Sequence, residues 1–527
     1  MASITKQTVG NNTYLYESYS FRDDKGRPRN KKVKIGKIDR NTGSARYTQE
    51  YIDRMSKAGT PVELPAIEGL EEHVSKALDS LKSYGLCYFL QKSAEKIKLI
   101  KILRQTFPAY WEEVFMLCAY LIASDKPLMY MEDWIGEHES YPVGKMSSQR
   151  LSELLGAFGQ EERNNFFKAW CTENISDEYM AVDITSISSY SKQIPECERG
   201  YNRDGENLDH INFCLLFGER THLPIYQTVY SGSIGDQATL KATLAEVEAV
   251  SGGKKLVLVA DKGFYSVKNV QMMIEQYRGS GFLLAVPFAN KWTMELIREE
   301  RDRIDRITNL IQTSGSPDRG VIREINIAGT PLRAFVFHNP ERALDDRNHW
   351  YSYVTWLKEQ VDAGKDTVAY RKDIEKYLLV RKDKGGLKKA DIREDVLGRK
   401  LETAGWFVLL GNENLTAQQA YDIYRKKDVI EKAFLKYKNQ LGLRRLRIHT
   451  EKRMRNKMFI AFIALTLVSF IHRVMKEKGL YRKMTMEKMF ITLAKLKKVT
   501  VNGRDILRPL TKDQRDIFIA FGIPRPL

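Results

Sequence analysis

Hydrophobic residues repeat with helical spacing between Tyr421 and Lys438, in the segment YDIYRKKDVIEKAFLKYK. The apolar side chains recur at steps of four, three and four residues, at Ile430, Phe434, Tyr437 and Leu441. Such spacing places side chains on one face of an α-helix, and no Gly or Pro interrupts the segment. The pattern predicts one helix over 421–438 whose apolar face packs against a core.

A second face of the same predicted helix is polar. It carries Tyr424, Lys427, Glu431 and Lys438, at steps of three, four and seven. One acid among cations is typical of a solvated helix face with a Lys/Glu pair four residues apart, which is common and contributes little. Taken alone, this face is interpreted in that way, and residues elsewhere in the chain are needed to give it a further role.

A strand pattern comes first in the chain and helical patterns follow it. Residues 8–40 alternate between apolar and polar positions around the turn segment DDKGRPR, which predicts a β-hairpin within a first region, 1–65, that ends in a linker. The tip and second strand of this hairpin are basic, with Lys25, Arg27, Arg29, Lys31, Lys32, Lys34 and Lys37. These charges either grip phosphates or protect an edge strand from aggregation.

Residues 66–175, with apolar runs such as VFMLCAYLIA, are predicted to form a helical domain.

The pattern changes to strands near residue 176. Three β-rich runs, EYMAVDITSI, NLDHINFCLLFG and LPIYQTVYSG, are followed by a helix, a strand, a helix and a strand up to residue 288. Elements in this order predict a mixed α/β sheet. Asp183 ends the apolar part of the first strand, and Asp261 ends that of the fourth. The ends of strands are where α/β proteins place their sites.

Residues 289–400 interrupt this sheet. Acid-base alternation in MELIREERDRIDRI predicts an exposed helix, REINIAG and PLRAFVFHN predict a hairpin, and RKDKGGLKKADIRED predicts a flexible basic segment. The run GWFVLLGN then returns to a buried strand directly before the helix at 421–438. We therefore expect a core in two parts, 176–288 and 401–475, separated by a β-rich insertion. Residues 476–527 are predicted to form a small helical tail.

Composition narrows the class of protein. The 527 residues are 43% hydrophobic and 29% charged, which is ordinary for a globular protein. Lys and Arg number 85 against 67 Asp and Glu, so the formal net charge is +18 and the pI is about 9.4. The window 421–460 is the densest basic stretch, with 13 Lys/Arg and four acids. This balance favours a polyanionic partner, with nucleic acid the leading candidate.

We also find no pattern for export or membrane insertion. The N-terminal residues lack a charged region followed by an apolar one, so no signal peptide is predicted. The longest apolar run, MFIAFIALTLVSFI from Met458 to Ile471, has 14 residues and is too short to cross a bilayer. The five cysteines are widely spaced and include no C-x-x-C pair, so we expect buried, reduced thiols. A cytoplasmic protein without membrane contact is the expectation.

Three acids form a candidate site: Asp183 and Asp261 at strand ends, and Glu431 on the helix after the insertion. If the sheet closes as predicted, they meet at one edge, where carboxylates repel each other without cations. The usual reason for such a cluster is to hold two divalent metal ions through oxygen ligands. Two such ions activate an attacking hydroxyl and stabilise the leaving oxygen in phosphoryl transfer. With a basic surface around them, the inferred substrate is a nucleic-acid phosphodiester.

The order and context of these acids resemble the DDE transposases of bacterial insertion sequences, in particular the insertion-sequence-four group with a long β-rich insertion. The signature of that group is Tyr, two residues, Arg, three residues, Glu, six residues, Lys. Its positions are occupied here by Tyr424, Lys427, Glu431 and Lys438. Lys427 stands where the group has Arg, which keeps the charge but not the planar guanidinium that binds a phosphate with two hydrogen bonds. The segments MAVDITSI, VADKGFYS and SGSIGD also resemble relatives.

The resemblance implies a ribonuclease-H-like core, a homodimer that pairs two transposon ends, and cut-and-paste movement. The cofactor would be Mg²⁺, with Mn²⁺ as a substitute, and two ions per site would be held by Asp183, Asp261 and Glu431. The partner would be double-stranded DNA, both the terminal inverted repeats and the target, in a bacterial cytoplasm at the nucleoid. The basic hairpin and the helical region 66–175 are the regions expected to read the ends.

The same resemblance implies further contacts with DNA. Phosphates near the cut would be held by Tyr424, Lys427 and Lys438. Trp292 is expected to stack on an unpaired base, or else to be a core residue of the insertion. Contacts with the DNA backbone, or solvation of a helix cap, are expected of Arg447, His449 and Arg453. Roles in packing or in turns are expected of His210 and His222.

Other enzyme classes lack support, since the sequence has no G-x-x-x-x-G-K-[ST] phosphate loop and no H-E-x-x-H, H-x-H or H-x-x-R motif. Two alternatives to a transposase stay open. A domesticated relative would bind DNA without cutting it, but loss of an acid would mark it and all three are present. A metal-dependent nuclease without strand transfer is not separated by sequence, because one site serves both water and a 3′-hydroxyl as nucleophile.

Overall fold

The structure is a computed structural model that describes residues 3–39, 45–60, 62, 77–139, 141–276, 281–313, 317–365, 367–382, 388–501 and 504–526. The chain divides into two compact units. The smaller consists of Met1–Leu81 and Lys498–Leu507, and the larger of Lys82–Lys497 and Arg508–Leu527. The end of the predicted linker, near residue 65, lies outside the described residues.

Strands and helices are numbered here in chain order over the described residues. The strands are β1 (Ser3–Val9), β2 (Asn12–Arg22), β3 (Pro28–Ile38), β4 (Ala45–Tyr47), β5 (Lys82–Ser83), β6 (Glu178–Ser188), β7 (His210–Gly218), β8 (Pro224–Ser231), β9 (Leu256–Ala260), β10 (Phe282–Ala285), β11 (Arg319–Ile327), β12 (Thr330–His338), β13 (Leu378–Lys382), β14 (Lys388–Ile392), β15 (Trp406–Gly411), β16 (Lys497–Val501) and β17 (Arg504–Leu507).

The α-helices are α1 (Gln49–Lys57), α2 (Gly85–Lys96), α3 (Leu99–Thr106), α4 (Trp111–Ala123), α5 (Met131–Glu137), α6 (Ser148–Ala157), α7 (Gln160–Asn174), α8 (Asp236–Ser251), α9 (Val267–Gln276), α10 (Lys291–Glu300), α11 (Pro340–Asp362), α12 (Arg371–Tyr377), α13 (Glu394–Leu401), α14 (Ala417–Lys426), α15 (Asp428–Leu435), α16 (Glu451–Glu477), α17 (Met486–Ala494) and α18 (Lys512–Ala520). Six helices, α2–α7, lie within the predicted helical region 66–175, whose residues 66–76 are outside the described part of the chain.

The smaller unit contains an antiparallel sheet in the order β1-β2-β3-β4. Strands β2 and β3 form the predicted hairpin, and Leu15, Ile35 and Tyr51 are buried beneath it. All seven basic residues predicted at its tip and second strand are exposed. From Pro28 to Lys34 the strand is exposed on both faces, so this part of the hairpin is a basic ribbon.

An eight-stranded mixed sheet lies in the larger unit, in the order β11-β12-β15-β10-β9-β6-β7-β8. Strands β6, β7 and β8 are an antiparallel meander, while β9 is parallel to β6 and β10 is parallel to β9. The remaining three strands are each antiparallel to their neighbours. The predicted mixed α/β sheet is confirmed, including the return of GWFVLLGN as β15.

Helices cover both faces of this sheet, as β7 shows. Phe213 stacks on Tyr437, with 4.5 Å between the ring centroids. Its neighbour Cys214 has its Sγ 3.9 Å from the hydroxyl of Thr243 on α8. Because successive strand residues point to opposite faces, α8 and the segment 428–440 lie on opposite sides. Coverage on both sides explains why β7 is buried along its whole length.

The apolar run at 458–471 belongs to α16, which has 27 residues and is therefore longer than the run itself. By length and hydropathy this helix is able to cross a membrane, but 83% of its most apolar window is buried inside the protein. It packs against α2, α4 and α6 of the N-terminal helical region and against β8. We therefore interpret α16 as a core helix of the larger unit.

The segment 289–400 differs from the predicted β-rich insertion. Its hairpin β11–β12 is present, but it extends the central sheet through β15. Over the described part of the segment, helices occupy more residues than strands do. The longest helix, α11, begins with Pro340 after Asn339, whose side chain accepts a hydrogen bond from Arg342 N at 2.6 Å. Asn before Pro is a helix-start signal, and the prediction of a β-rich segment overlooked it. The basic segment predicted to be flexible, 381–395, contains the end of β13 and all of β14, with 383–387 outside the described residues.

The predicted helical tail is only partly helical. Between α17 and α18 lies the hairpin β16–β17, in which Val499 pairs with Ile506. Alternating β-branched residues around the dipeptide Asn-Gly at 502–503 are a hairpin signal in the sequence. The tail is therefore corrected to two helices separated by a hairpin.

Candidate active site

Asp183 and Asp261 lie at the same level on neighbouring parallel strands. Val182 of β6 is paired with Ala260 of β9, so each aspartate is the next residue along its strand. Hydrogen-bonded strands are about 4.8 Å apart, which brings the two carboxylates close together. Asp183 lies two residues before Thr185, the partner of Phe213, and therefore points to the face covered by the segment 428–440.

The segment 421–438 is helical but not continuous. Helix α14 ends at Lys426, α15 begins at Asp428, and a π-helical turn, Lys436–Gln440, follows. At the break, Lys427 N donates to Tyr424 O at 3.1 Å and Ile430 N donates to Lys427 O at 2.9 Å, which are bonds over three residues instead of four. Lys427 itself keeps helical backbone angles, with a φ of −54° and a ψ of −24°, so the predicted helix is interrupted by one tightened turn at this residue.

The predicted apolar face is confirmed. It is buried at Ile430, Phe434, Tyr437 and Leu441. Besides stacking on Phe213, Tyr437 donates its hydroxyl hydrogen to Met458 O of α16 at 2.9 Å. These contacts fix α15 against β7 and so determine where Glu431 lies relative to the sheet.

Lys427 links the strand acid to the helix acid. Its Nζ lies 3.7 Å from Asp183 Oδ2 and 3.9 Å from Glu431 Oε1. The lysine side chain is only 6% exposed, whereas that of Glu431 is 62% exposed. The interpretation of this helix face as solvated therefore fails at Lys427, which is buried between two carboxylates.

Tyr424 provides the link to the third acid. Its hydroxyl donates to Asp261 Oδ1 at 3.1 Å. The same oxygen accepts a hydrogen bond from Lys262 N at 2.8 Å, and Asp183 Oδ1 accepts one from Ile184 N at 2.8 Å. Each aspartate is thus oriented through its Oδ1 atom, and the structure brings Asp183, Asp261, Glu431, Tyr424 and Lys427 into one site.

Burial and charge both shift the acid-base properties of this site. Burial raises the pKa of Asp183, the charge of nearby Asp261 raises it further, and Lys427 opposes both effects. Burial also raises the pKa of Tyr424, and the hydrogen bond and charge of Asp261 add to this, as do the charges of Asp183 and Glu431. Tyr424 is therefore protonated at neutral pH and is a hydrogen-bond donor to the acids.

The donor set of the three acids is the kind that Mg²⁺ prefers, since all the ligands are carboxylate oxygens. Their spacing is different from that of a formed metal site. The ammonium of Lys427 lies between Asp183 and Glu431, and no group of three or more His, Cys, Asp or Glu in the described parts of the chain is placed to hold a metal ion. The acids fit a metal chemically, and Lys427 is the counter-charge that a metal ion would displace.

Lys438 does not reach the acids. Its Nζ lies 2.6 Å from Asp204 Oδ2 and 2.8 Å from Oδ1, and its side chain is 10% exposed. Asp204 belongs to the connection between β6 and β7. The predicted phosphate ligand is therefore already paired, and it ties this connection to the helix of Glu431.

Two further ion pairs hold the same connection, and sequence reasoning missed both. Arg445 Nη2 lies 2.7 Å from Glu206 Oε1, and Arg203 pairs with Asp236 at the start of α8. The available signal was the segment SGSIGD, which resembles relatives and ends in Asp236. No local pattern marks Arg203, Asp204 or Glu206, because their partners are distant in the chain.

The other predicted DNA contacts lie elsewhere. Trp292 is half-buried on α10 and donates its Nε1 hydrogen to the hydroxyl of Tyr265 at 3.3 Å, as expected of a core residue. Arg447 is exposed with a φ of 48°, and exposed Arg453 donates to Ser152 O at 3.1 Å. His449 is exposed, His210 is buried on β7, and His222 lies in the turn after β7 with a φ of 52°.

Comparison with known proteins places this site in a family. The model of the family described as "Transposase DDE domain" matches residues 176–467, more than half of the chain. No curated protein matches the sequence. One solved structure, the cryo-EM structure of a piggyBac transposase synaptic complex with hairpin DNA, is 10% identical, with a TM-score of 0.37 over 79% of this chain and 76% of that chain. The matched region contains all three acids, and by this match the chain belongs to the DDE transposase family.

Proposed function

We propose that this transposase cleaves the ends of its own element and transfers the freed strands to target DNA in a cut-and-paste reaction. The observation that carries the proposal is the placement of the acids within the family match. Asp183 on β6 lies beside Asp261, the residue directly after β9, and Glu431 is joined to Asp183 through the ammonium of Lys427. A set of acids clustered beside basic groups suits phosphoryl transfer from DNA.

A ribonuclease-H-like core is part of the proposal. The sheet order β8-β7-β6-β9-β10, with an antiparallel meander first and parallel strands after it, supports this architecture. Asp183 lies on β6 and Asp261 directly after β9, the central strands of this set, and Glu431 lies on a helix that packs against β6 and β7. The chain's Tyr424, Lys427, Glu431 and Lys438 also support membership of the insertion-sequence-four group, with Lys in place of Arg.

Divalent metal ions, which DDE transposases generally use, would be held by Asp183, Asp261 and Glu431, with Mg²⁺ the proposed ion and Mn²⁺ its substitute. When bound, two ions supply an activated hydroxyl and stabilise the leaving oxygen. The chain's own residues prepare the site: Tyr424 orients Asp261, and Lys427 neutralises half-buried Asp183. An ammonium at this position also attracts the phosphate that enters between the acids.

The proposed partner is double-stranded DNA, first the terminal inverted repeats and then the target. The exposed basic ribbon of the β2–β3 hairpin supports the grip on phosphates over the alternative of edge protection, because residues 28–34 are exposed on both faces. Basic residues of the window 421–460 that are exposed, such as Arg444 and Arg447, offer a second surface. A homodimer that pairs two ends at the bacterial nucleoid completes the proposal.

The test uses a duplex that carries the terminal inverted repeat found in the DNA flanking the gene. Wild-type protein with Mg²⁺ should cut this duplex and join it to a target plasmid. Asp183→Asn, Asp261→Asn and Glu431→Gln should each abolish cleavage and keep duplex binding, because only the charged oxygen ligands are lost. Cleavage in excess chelator would contradict the metal mechanism.

The same experiment separates the two alternatives. A wild-type chain that binds the duplex and never cuts it is a domesticated DNA-binding relative. A chain that cuts without a joined product is a nuclease without strand transfer. The arrangement of all three acids in one site favours the transposase over the first alternative.

A further inference from the structure

A second basic site lies behind the helix of Glu431. A cleft of about 350 Å³ opens between α15 with its π-helical turn on one side and α16 on the other. Val429, Ala433 and Lys436 line it at steps of four and three, and so they form a different stripe of the helix from Lys427 and Glu431. We call it the basic cleft. It is separate from the acids, none of which lines it.

Cations converge on the basic cleft without matching acids. Of the described residues that line it, Glu477 is the one acid, and the cations are Lys432, Lys436, Arg473 and Lys476. Glu477 Oε1 lies 3.9 Å from Arg473 Nε, and Lys432 pairs with Asp428 outside the cleft lining. Within the described residues, neither Lys436 nor Lys476 has an ion pair with an acid. Like charges held together repel each other unless an anion joins them.

Lys436 shows the effect of burial beside another cation. Its side chain is half-buried beside Lys432, and burial with that neighbouring charge lowers the pKa of Lys436 to about 8. Burial, followed by the charges of nearby lysines, also lowers the pKa of His472. The Nδ1 atom of this histidine lies 2.6 Å from the hydroxyl of Tyr481. An anionic group in the cleft would relieve the repulsion and gain charge-assisted hydrogen bonds.

The wall of the basic cleft defines the rest of the ligand. Phe217 and Ala433 are buried apolar residues, and Val429 lies beside them. A recess with an apolar wall and a cationic rim fits a small ligand with a flat, poorly hydrated part and a phosphate. A DNA duplex fits less well, because it keeps its bases stacked inside and offers only phosphates to a protein surface.

We propose that the basic cleft binds a nucleoside phosphate, with its phosphates at Lys436 and Lys476 and its base against Phe217 and Ala433. The binding itself does not depend on the reaction at the acids. A consequence for cleavage rests on the proposed function: Val429 and Lys432 flank Glu431 on α15, so a ligand between α15 and α16 would change the position of Glu431. The site would then regulate the transposase from the opposite side of the helix.

Calorimetric titration of the full chain tests the binding, with ADP, adenosine and inorganic phosphate each added in the absence of divalent metal. ADP should bind with one-to-one stoichiometry and more tightly than either of its parts. The variant Lys436→Gln/Lys476→Gln should bind ADP about tenfold more weakly or worse, since two charge-assisted contacts are lost. The matched control Lys452→Gln/Lys478→Gln removes two exposed lysines outside the cleft and should bind like the wild type.

Several outcomes would overturn the proposal. These are no saturable ADP binding, equal ADP affinity in the cleft variant, or phosphate binding as tightly as ADP. Displacement of ADP by a DNA duplex, with a matching loss of duplex affinity in the cleft variant, would assign the cleft to the DNA backbone instead. Should the charge variant fail to fold, Ala433→Leu decides, because filling the apolar wall should weaken ADP and leave phosphate unchanged.

The two proposals fail separately. A chain that cleaves its ends and does not bind ADP overturns the cleft alone, whereas a chain that binds ADP and does not cleave overturns the proposed function alone. Coupling requires that ADP change the cleavage rate of the wild type and not that of Lys436→Gln/Lys476→Gln.

Discussion

Lys427 shows at the scale of one residue how tertiary structure changes the meaning of a sequence position. Its spacing from Tyr424 and Glu431 predicts a cation on a solvated helix face that holds a phosphate. In the structure it is buried and lies within 4 Å of two carboxylates. An ammonium at this position is a compact charge with rotatable donors, whereas a guanidinium is planar and holds its donors in a fixed fork.

Lys427→Ala should abolish most cleavage and reduce the salt dependence of end binding. If Lys427 contacts one phosphate in the complex, the slope of log K against log salt should fall by about 0.9. Binding isotherms between low and moderate salt give this slope, and cleavage assays give the rate. Lys427→Arg should keep the slope, and Lys478→Ala, at an exposed lysine after α16, is the control. An unchanged slope in Lys427→Ala would show that the lysine only neutralises the acids.

The titration of His472 should make the free energy of unfolding depend on pH. Burial, followed by the nearby cations Lys436, Lys476 and Lys432, lowers its pKa from 6.5 to about 4. As pH falls below about 6.5, the unfolded chain takes up a proton that the folded chain refuses until about pH 4. The free energy of unfolding should therefore decrease through this window because of His472.

Denaturant titrations at pH 7, 6 and 5 check this effect. The loss of stability on acidification should be smaller in His472→Asn than in the wild type. His449→Asn replaces an exposed histidine and is the matched control. Equal losses in His472→Asn and the wild type would show that the folded chain binds the proton as readily as the unfolded one.

At the scale of elements, local sequence patterns predicted the strands and helices whose form depends on local contacts. The alternation at 8–40, the apolar face of 421–438 and the run GWFVLLGN each correspond to an observed element. The tightened turn at Lys427 was not predictable in this way, because no Gly or Pro marks it. The ammonium of Lys427 lies near two carboxylates, one of them on a strand more than 200 residues earlier. Two elements that the prediction missed are marked in the sequence. Asn-Gly at 502–503 marks the hairpin β16–β17, and Asn-Pro at 339–340 marks the start of helix α11.

The tie between the Glu431 helix and the β6–β7 connection gives a prediction at this scale. Lys438 and Asp204 form a largely buried ion pair, so Lys438→Met and Asp204→Asn should each lower stability and cleavage by similar factors. The double variant should be little worse than either single one, with a coupling of about 1 kcal/mol. Thermal unfolding and cleavage rates of the four proteins in the cycle measure this.

A direct role of Lys438 on DNA gives a different result in the same cycle. Asp204→Asn would then leave cleavage intact, and the double variant would match Lys438→Met. Glu402→Gln provides a control, because its partner Arg298 is more exposed and such surface pairs contribute little.

For the whole molecule, the sequence predicts a mixed sheet and three acids that meet at one edge of it. It does not predict which strands are paired or which side chains link the acids. That Asp183 and Asp261 lie on adjacent strands depends on β9 pairing with β6, about 70 residues away, and no local pattern specifies this pairing. The limits of the insertion depend on strand order in the same way. The hairpin β11–β12 looked like part of an insertion and is instead an extension of the central sheet.

The chain leaves that sheet at the end of β12 and re-enters it at the start of β15. His338 at the end of β12 is paired with Trp406 at the start of β15, and Asn339 N donates to Gly405 O at 2.9 Å. The residues between them have a core of their own. This core consists of Val354, Leu357, Val361, Ile374, Tyr377, Leu378, Ala390 and Leu397. Residues 339–405 are therefore an excursion from one hairpin end.

Replacing 339–405 with the turn Asn-Gly should leave a folded protein, because two antiparallel strands accept a two-residue turn. Its Tm should lie within about 5 °C of the wild type, since the excursion's core is lost as a unit and the exposed pair Arg298–Glu402 contributes little. Deleting 289–400 instead removes β12, whose Phe335 and Phe337 are fully buried in the sheet's core, and should prevent folding. Circular dichroism and thermal unfolding of both variants decide where the insertion begins, and unfolding of the 339–405 variant would show that the excursion is part of the main core.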